Sequence, residues 1–161
     1  MANNASVKIK YVIETHFHAD FVSGHLSLAS LTGAQIVFGP KADPSFDALI
    51  ASDNQVFKIG EVSLTVLHTP GHTPGSQCFK VNNNLVSGDT LFVQGCGRVD
   101  LPGSNSEDMF HSLRKLSSLP DETILYPGHH YSPQESETMG KVKEINSYLR
   151  IEELELWKQI M

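Results

Sequence analysis

Short apolar segments alternate with polar turns along most of the chain, and this pattern predicts an α/β fold. Each predicted strand is a short apolar or alternating run bounded by glycine, proline, asparagine or serine: residues 8–14, 35–38, 55–59, 62–67, 77–81, 85–86 and 123–126. The first of these runs is apolar on both faces, which is typical of a strand covered on both sides. Helical spacing of apolar residues predicts helices over residues 21–31, 44–50, 106–116, 135–145 and 151–160.

Two of the helices have further support in the sequence. Asp20 directly precedes the helix predicted over residues 21–31 and is a natural N-cap for it. The helix predicted over residues 151–160 is amphipathic, with one apolar side formed by Ile151, Leu154, Trp157 and Ile160. At 161 residues with 40% hydrophobic residues, the chain is expected to form a single domain, residues 1–161, with a sizeable core.

Composition and charge narrow the function classes. A net charge of -6 and a pI near 5.7 argue against nucleic acid or an anionic membrane as the main partner. No apolar run approaches the about 20 residues that span a bilayer. The N-terminal residues do not combine a basic region with an apolar one, so we expect a cytoplasmic location. Cys78 and Cys96 are expected to be unpaired thiols.

Four predicted strands end in turns that carry histidine or aspartate. The first turn has candidate ligands at alternate positions, and the later turns present one or two each: His16, His18 and Asp20, then His72, then Asp89, then His129 with His130. Imidazole and carboxylate groups are ligands of zinc, iron and manganese. Any one of these turns is equally consistent with solvated surface side chains. If the strands are neighbours in one sheet, however, all four turns lie at one edge, and the sequence then predicts a metal site there.

The same motifs, in this order, resemble the metallo-β-lactamase superfamily. The resemblance rests on Thr-His-x-His-x-Asp from Thr15, Thr-Pro-Gly-His-Thr-Pro-Gly from Thr69, Ser-Gly-Asp-Thr from Ser87 and Pro-Gly-His from Pro127. It implies a four-layer αββα sandwich. It also implies two metal positions: His16, His18 and His72 at the first, Asp20 and His129 at the second, and Asp89 between them.

Within that superfamily the segment 14–25 is most similar to persulfide dioxygenases, with glyoxalase II enzymes as relatives. The dioxygenase resemblance implies a mononuclear iron held by His16, His72 and Asp89, a two-histidine, one-carboxylate set. It also implies that Arg98 contacts a glutathione-derived substrate, although a salt bridge to Asp100 is an equal alternative. Tyr131 either lines the substrate pocket or simply packs beside it.

Two departures from the superfamily pattern affect these expectations. Phe21 stands where many members have a further histidine, which favours one bound ion, Fe(II) or Zn(II), over two. Members also usually have a longer segment before Lys8, which builds part of the first sheet. With only seven residues there, we expect a truncated or minimal form whose exposed sheet surface is covered in a homo-oligomer.

Three functions remain open from the sequence. The first is an iron dioxygenase that oxidises glutathione persulfide. The second is a hydrolase of thioesters or esters, in which one or two Zn or Fe ions activate water and Asp20 is the catalytic residue that orients the resulting hydroxide. The third is a truncated metal-binding domain with little activity. Because only 30 residues follow Tyr131, we do not expect the helical glutathione-binding domain of two-domain glyoxalase II enzymes.

Overall fold

The computed structural model describes residues 7–17 and 22–161. The strands are β1 (Tyr11–Ile13), β2 (Gln35–Phe38), β3 (Leu49–Ile50), β4 (Val56–Ile59), β5 (Val62–His68), β6 (Gln77–Val81), β7 (Asn84–Gly88), β8 (Ile124–Pro127) and β9 (Glu137–Thr138). The helices are α1 (His25–Thr32), α2 (Ser106–Ser117), α3 (Met139–Ile145) and α4 (Leu154–Ile160), with a 3₁₀ helix at Ser147–Arg150. Within these described ranges, every helix is too short or too polar to cross a membrane.

The strands form two sheets of different size. The smaller sheet has the order β1-β2-β3, and its strands are parallel. The larger sheet has the order β4-β5-β6-β7-β8-β9 and is antiparallel except for the parallel pair β7 and β8. Because β6 runs antiparallel to both of its neighbours, β5, β7 and β8 point the same way. Their carboxyl ends therefore lie at one edge of the larger sheet.

The two faces of the larger sheet contribute side chains to two separate hydrophobic clusters. On β5, Val66 faces the smaller sheet and Leu67 faces the helices; on β6, Phe79 and Cys78 repeat that alternation as their partners in register. The cluster between the sheets contains Val37, Ala51, Phe57, Val66 and Phe79. The larger cluster joins β5–β8 to α2, α3 and α4, while α1 contacts β1 and β2. These layers confirm the predicted αββα sandwich.

The strand predictions agree closely with the structure, but several helix predictions were wrong. The first helix begins at His25 with Gly24 as its N-cap, so residues 22–24 are not helical and the cap is not Asp20. Ser23 instead turns its hydroxyl to the Glu14 carboxylate. The first helix ends with Gly33 as its C-cap, which adopts the left-handed conformation with φ 68°.

Two more corrections concern strand pairings that helical spacing could not reveal. The segment predicted as a helix over residues 44–50 ends in β3, which pairs with β2 and packs Leu49 against the inter-sheet cluster. The helix predicted from residue 135 begins at Met139, since residues 137 and 138 pair with β8 as β9. The last helix begins at Leu154, three residues later than predicted.

The C-terminal helix packs through one residue in particular. Trp157 is fully buried, contacts Phe110 and Tyr148, and donates its indole N–H to the carbonyl of Ser106 at 2.7 Å. Ile160, which the sequence placed on the same apolar side, is 52% exposed. The helix is therefore fixed mainly at its centre, against the start of α2.

Replacing Trp157 with alanine should destabilise the fold by about 3–5 kcal/mol, because the change leaves a cavity and an unpaired carbonyl. Urea unfolding followed by circular dichroism measures this loss. The matched change Ile160→Ala, on the same helix, should shift the free energy of unfolding by no more than about 0.5 kcal/mol. Equal losses for the two variants would contradict the packing described here.

Candidate metal centre

The turns that carry the candidate ligands come from both sheets. His72 follows β5, Asp89 follows β7 and His129 follows β8, so these three lie at the shared edge of the larger sheet. His16 follows β1, which belongs to the smaller sheet. The hypothesis of four neighbouring strands in one sheet was therefore wrong for the first motif. The site lies where the edges of two packed sheets meet.

Gln77 joins the end of β1 to the larger sheet. Its backbone N–H donates to the carbonyl of Thr15 at 2.8 Å, and its side-chain Nε2 donates to the carbonyl of Glu14 at 2.8 Å. Gln77 is fully buried, so both bonds are shielded from water. The two carbonyls immediately before His16 are thus fixed by the first residue of β6.

His16, His72 and Asp89 each offer a ligand atom, and these atoms lie within 4.8 Å of one another. The three residues are 8%, 3% and 8% exposed. The His72 Nε2 atom is 3.8 Å from Asp89 Oδ2, and the rings of His16 and His72 have centroids 5.1 Å apart. Two imidazoles and a carboxylate at this spacing fit a zinc or iron ion, whose ligand bonds are about 2.0–2.2 Å long.

His72 is oriented by a backbone carbonyl. Its Nδ1–H donates to the carbonyl oxygen of Arg98 at 2.9 Å, which fixes the tautomer and directs Nε2 toward Asp89. The turn before His72 is tied to the turn after β7, because the hydroxyl groups of Thr69 and Thr90 lie 3.0 Å apart in the buried interior. The His72 and Asp89 turns are therefore held to each other independently of any ion.

Asp89 lies against two glycines that approach too closely for any side chain. A Cβ on Gly97 would fall 1.9 Å from the Asp89 carbonyl oxygen and 3.1 Å from His72 Cβ. A Cβ on Gly128 would fall 2.4 Å from Asp89 Oδ1. The backbone on both sides thus holds the carboxylate in place.

His129 contacts Asp89 rather than completing the three-residue group. Its Nε2 is 3.0 Å from Asp89 Oδ2, and its ring is 39% exposed. Tyr131 stacks on that ring with centroids 5.0 Å apart and planes 13° apart, and Phe92 contacts both rings by its edge. Tyr131 therefore packs beside the site and also lines the cavity described next.

A cavity of about 710 Å³ opens on the His72, Asp89 and His129 side of the centre. Arg98, Tyr131, Tyr148 and Cys96 are among its walls. The Arg98 guanidinium makes a two-bond pair with Asp100, at 2.9 Å for each bond, and holds the pKa of that carboxyl below its usual range. The salt bridge to Asp100, which was predicted as the alternative to a substrate contact for Arg98, is thus present. The Arg98 side chain is exposed beside the cavity.

Cys96 is a neutral part of the cavity wall. Burial raises the pKa of its thiol to about 12, so the thiol stays protonated near neutral pH. Because the thiolate is the reactive form, Cys96 is not an activated nucleophile. Both cysteines are free thiols, in agreement with the sequence.

Other candidate residues are placed as follows. His18 and Asp20 lie outside the described residues, so their roles remain predictions. Two further histidines, His25 and His130, lie close in sequence to the first and last of the four motifs. His25 is buried against the carboxylate of Glu14, and His130 is exposed.

Three supporting groups were missed by the sequence analysis. The Arg98 carbonyl, the Gly97 backbone and the Gln77 side chain all position the candidate ligands. The glycine-rich run 95–97 was the one available signal, because glycines beside a ligand turn indicate close backbone approach. A backbone carbonyl has no sequence signature.

Replacing Gly128 with alanine should displace the Asp89 carboxylate and weaken zinc binding by about 10- to 100-fold. The matched control is Gly24→Ala, because Gly24 has φ -90° and no atom within 4 Å of its added Cβ. Competition with a fluorescent chelator measures both dissociation constants. Unchanged zinc affinity in a folded Gly128→Ala protein would contradict the close approach described here.

Comparison with known proteins agrees with this geometry. Residues 5–129 match the family model described as the metallo-beta-lactamase superfamily. A hydroxyacylglutathione hydrolase of Tolumonas auensis is 35% identical over 156 residues, which cover 88% of this chain and 60% of that protein. The chain thus spans between half and two thirds of the length of the first curated relatives that it matches.

Solved structures extend the likeness to the whole described fold. ETHE1 from Myxococcus xanthus is 30% identical with a TM-score of 0.89, over 99% of this chain and 71% of that one. TTHA1623, solved in a di-iron-bound form, is 26% identical with a TM-score of 0.76, over 91% of this chain and 81% of that one. By its sequence match, its four layers and its clustered histidines and aspartate, the chain belongs to the metallo-beta-lactamase superfamily.

Proposed function

We propose that this chain is a mononuclear iron dioxygenase that oxidises glutathione persulfide. The observation that carries the proposal is the buried group of His16, His72 and Asp89. Two histidines and one carboxylate with open positions beside them are the ligand set of non-haem Fe(II) oxygenases. His129 lies beside this group, with its Nε2 3.0 Å from Asp89 Oδ2.

His16, His72 and Asp89 would hold a ferrous ion, which would supply the O₂ chemistry that persulfide oxidation needs. The overall reaction converts persulfide, O₂ and water into thiol and sulfite, and the outer sulfur loses the four electrons that reduce O₂. The protein orients His72 through the Arg98 carbonyl and holds Asp89 between two backbone segments. His129 Nε2 lies 3.0 Å from Asp89 Oδ2 and limits the freedom of that carboxylate.

The cavity fits a substrate of the size of a tripeptide thiol. Its volume of about 710 Å³ lies in the range of small-molecule sites. Phe92 and Tyr131 form an apolar wall beside His129, which suits the sulfur end of the substrate. Arg98 at the exposed end would exchange Asp100 for a substrate carboxylate, since guanidinium groups bind carboxylates through two parallel bonds.

Two comparisons bear on the choice of reaction. The likeness to ETHE1, over nearly the whole chain, supports the dioxygenase together with the first-motif resemblance. The 35% identity to a hydroxyacylglutathione hydrolase supports a second candidate, the hydrolysis of glutathione thioesters with one or two Zn or Fe ions. In that case Asp20 would orient the attacking hydroxide. Both candidates imply a small glutathione-derived substrate.

The two reactions are separated by parallel assays on one anaerobically prepared, iron-loaded sample. With glutathione persulfide, we expect O₂ consumption and one sulfite per O₂. With a glutathione thioester, we expect no thiol release above the buffer rate. Thioester hydrolysis without O₂ uptake would establish the hydrolase instead. Failure of the protein to retain either iron or zinc would support a domain with little activity.

The role of Arg98 has its own test. Arg98→Ala should raise KM for glutathione persulfide by up to about tenfold with kcat little changed, because one charge-assisted interaction with bound substrate is lost. Lys141→Ala is the matched control, since it removes another exposed ion pair, that of Lys141 with Glu144. A fall in kcat at constant KM for Arg98→Ala would contradict a role in substrate binding.

A further inference from the structure

Glu14 and His25, two largely buried residues, pair with each other at the two ends of the segment that carries the first motif. Glu14 follows β1, and His25 is the first residue of α1. His25 Nδ1 lies 2.6 Å from Glu14 Oε1, and the side chains are 8% and 12% exposed, respectively. Ser23 donates its hydroxyl to the same carboxylate oxygen and accepts the backbone N–H of His25 at 3.3 Å. Every candidate ligand of the first motif lies in sequence between these two ends.

An aromatic cluster surrounds the His25 ring. The ring centroid of His25 is 4.9 Å from that of Phe46, 5.6 Å from that of Phe38 and 6.2 Å from that of Phe17. Phe17 also stacks on Phe38 with centroids 4.3 Å apart and planes 25° apart. The residue directly after His16 is therefore fixed in the same cluster as His25.

The position of His16 depends on both of these contacts. On its N-terminal side, Glu14 is held through its side chain by His25 and through its carbonyl by Gln77. On its C-terminal side, Phe17 packs on Phe38 and against His25. His16 itself faces His72, with ring centroids 5.1 Å apart. The backbone of His16 is thus anchored two residues before and one residue after its imidazole.

We propose that His25 is a positioning residue of the metal centre, which fixes the His16 backbone through its bond to Glu14 and its packing on Phe17. The inference rests on the proposed metal centre and extends it to residues that do not contact the ion. His25 Nδ1 donates to Glu14 Oε1, and the Ser23 hydroxyl donates to the same oxygen. The cluster orders the His16 ligand before any ion binds, so it contributes to affinity through preorganisation.

The variant His25→Phe tests the inference because it keeps the aromatic volume and removes the bond to Glu14. Zinc affinity should fall by about 10- to 100-fold, as is usual when a group that orients a ligand is removed. The visible spectrum of the Co(II)-loaded protein should also change, since it reports the ligand geometry. Glu14→Gln keeps an acceptor for His25 and should bind zinc within about threefold of the wild type.

The control is His111→Phe, which changes an exposed histidine on α2 to the same residue. Hydrogen exchange of the backbone amides of residues 15–17 in metal-free protein provides a second readout that needs no ion. We expect faster exchange in His25→Phe and unchanged exchange in His111→Phe, with both proteins folded by circular dichroism.

Each outcome decides one of the two proposals. Unchanged exchange in His25→Phe overturns the positioning role whether or not metal binds. Faster exchange with unchanged zinc affinity and an unchanged Co(II) spectrum overturns it as well. Equal loss of affinity in Glu14→Gln and His25→Phe contradicts the geometric account of the pair. If the wild-type protein binds neither zinc nor iron, the proposed function fails, while the exchange data still decide the role of His25.

Discussion

The carboxylate of Asp89 is the point on which the candidate centre depends. It lies at the end of β7, and the backbone of Gly97 and Gly128 approaches it so closely that neither position can carry a side chain. His72 and His129 both direct Nε2 toward its Oδ2 atom. A buried carboxylate needs polar partners, and His129, whose Nε2 lies 3.0 Å from Oδ2, is one of them. The sheets, turns and glycines around Asp89 therefore serve to bring imidazoles to one carboxylate.

The architecture explains why residues so distant in sequence meet there. The parallel direction of β5, β7 and β8 brings three turns to one edge of the larger sheet. Gln77 binds the two carbonyls before His16 and so joins this ligand of the smaller sheet to the larger sheet. Buried hydrogen bonds of this kind, such as that between Thr69 and Thr90, fix the turns without contribution from an ion. The protein thus prepares the geometry in advance, which is the general route to tight and selective metal binding.

Much of this could be read from the sequence, and the limits have physical causes. Strands were predicted well because their apolar runs end in Gly-Pro, Asn-Asn or Pro-Gly turns, which are local signals. The turns of His72 and Asp89 were found for the same reason. The sequence could not show that β1 belongs to the other sheet. Strand pairing is decided by contacts between distant segments, and the apolar run of β1 looks like every other short apolar run. The helix start was misjudged because Ser23 bonds to Glu14, and periodicity cannot reveal a tertiary contact. The sequence could not predict the role of the Arg98 carbonyl, because every residue has a backbone carbonyl.

The central claim is that His16, His72 and Asp89 share one cation. The most direct measurement is the ratio of bound metal to protein after anaerobic purification with iron supplied, determined by elemental analysis and repeated for Asp89→Ala. The account predicts close to one iron per chain in the wild type and near none in the variant. A ratio near two, or iron retained in full without the Asp89 carboxylate, would contradict it.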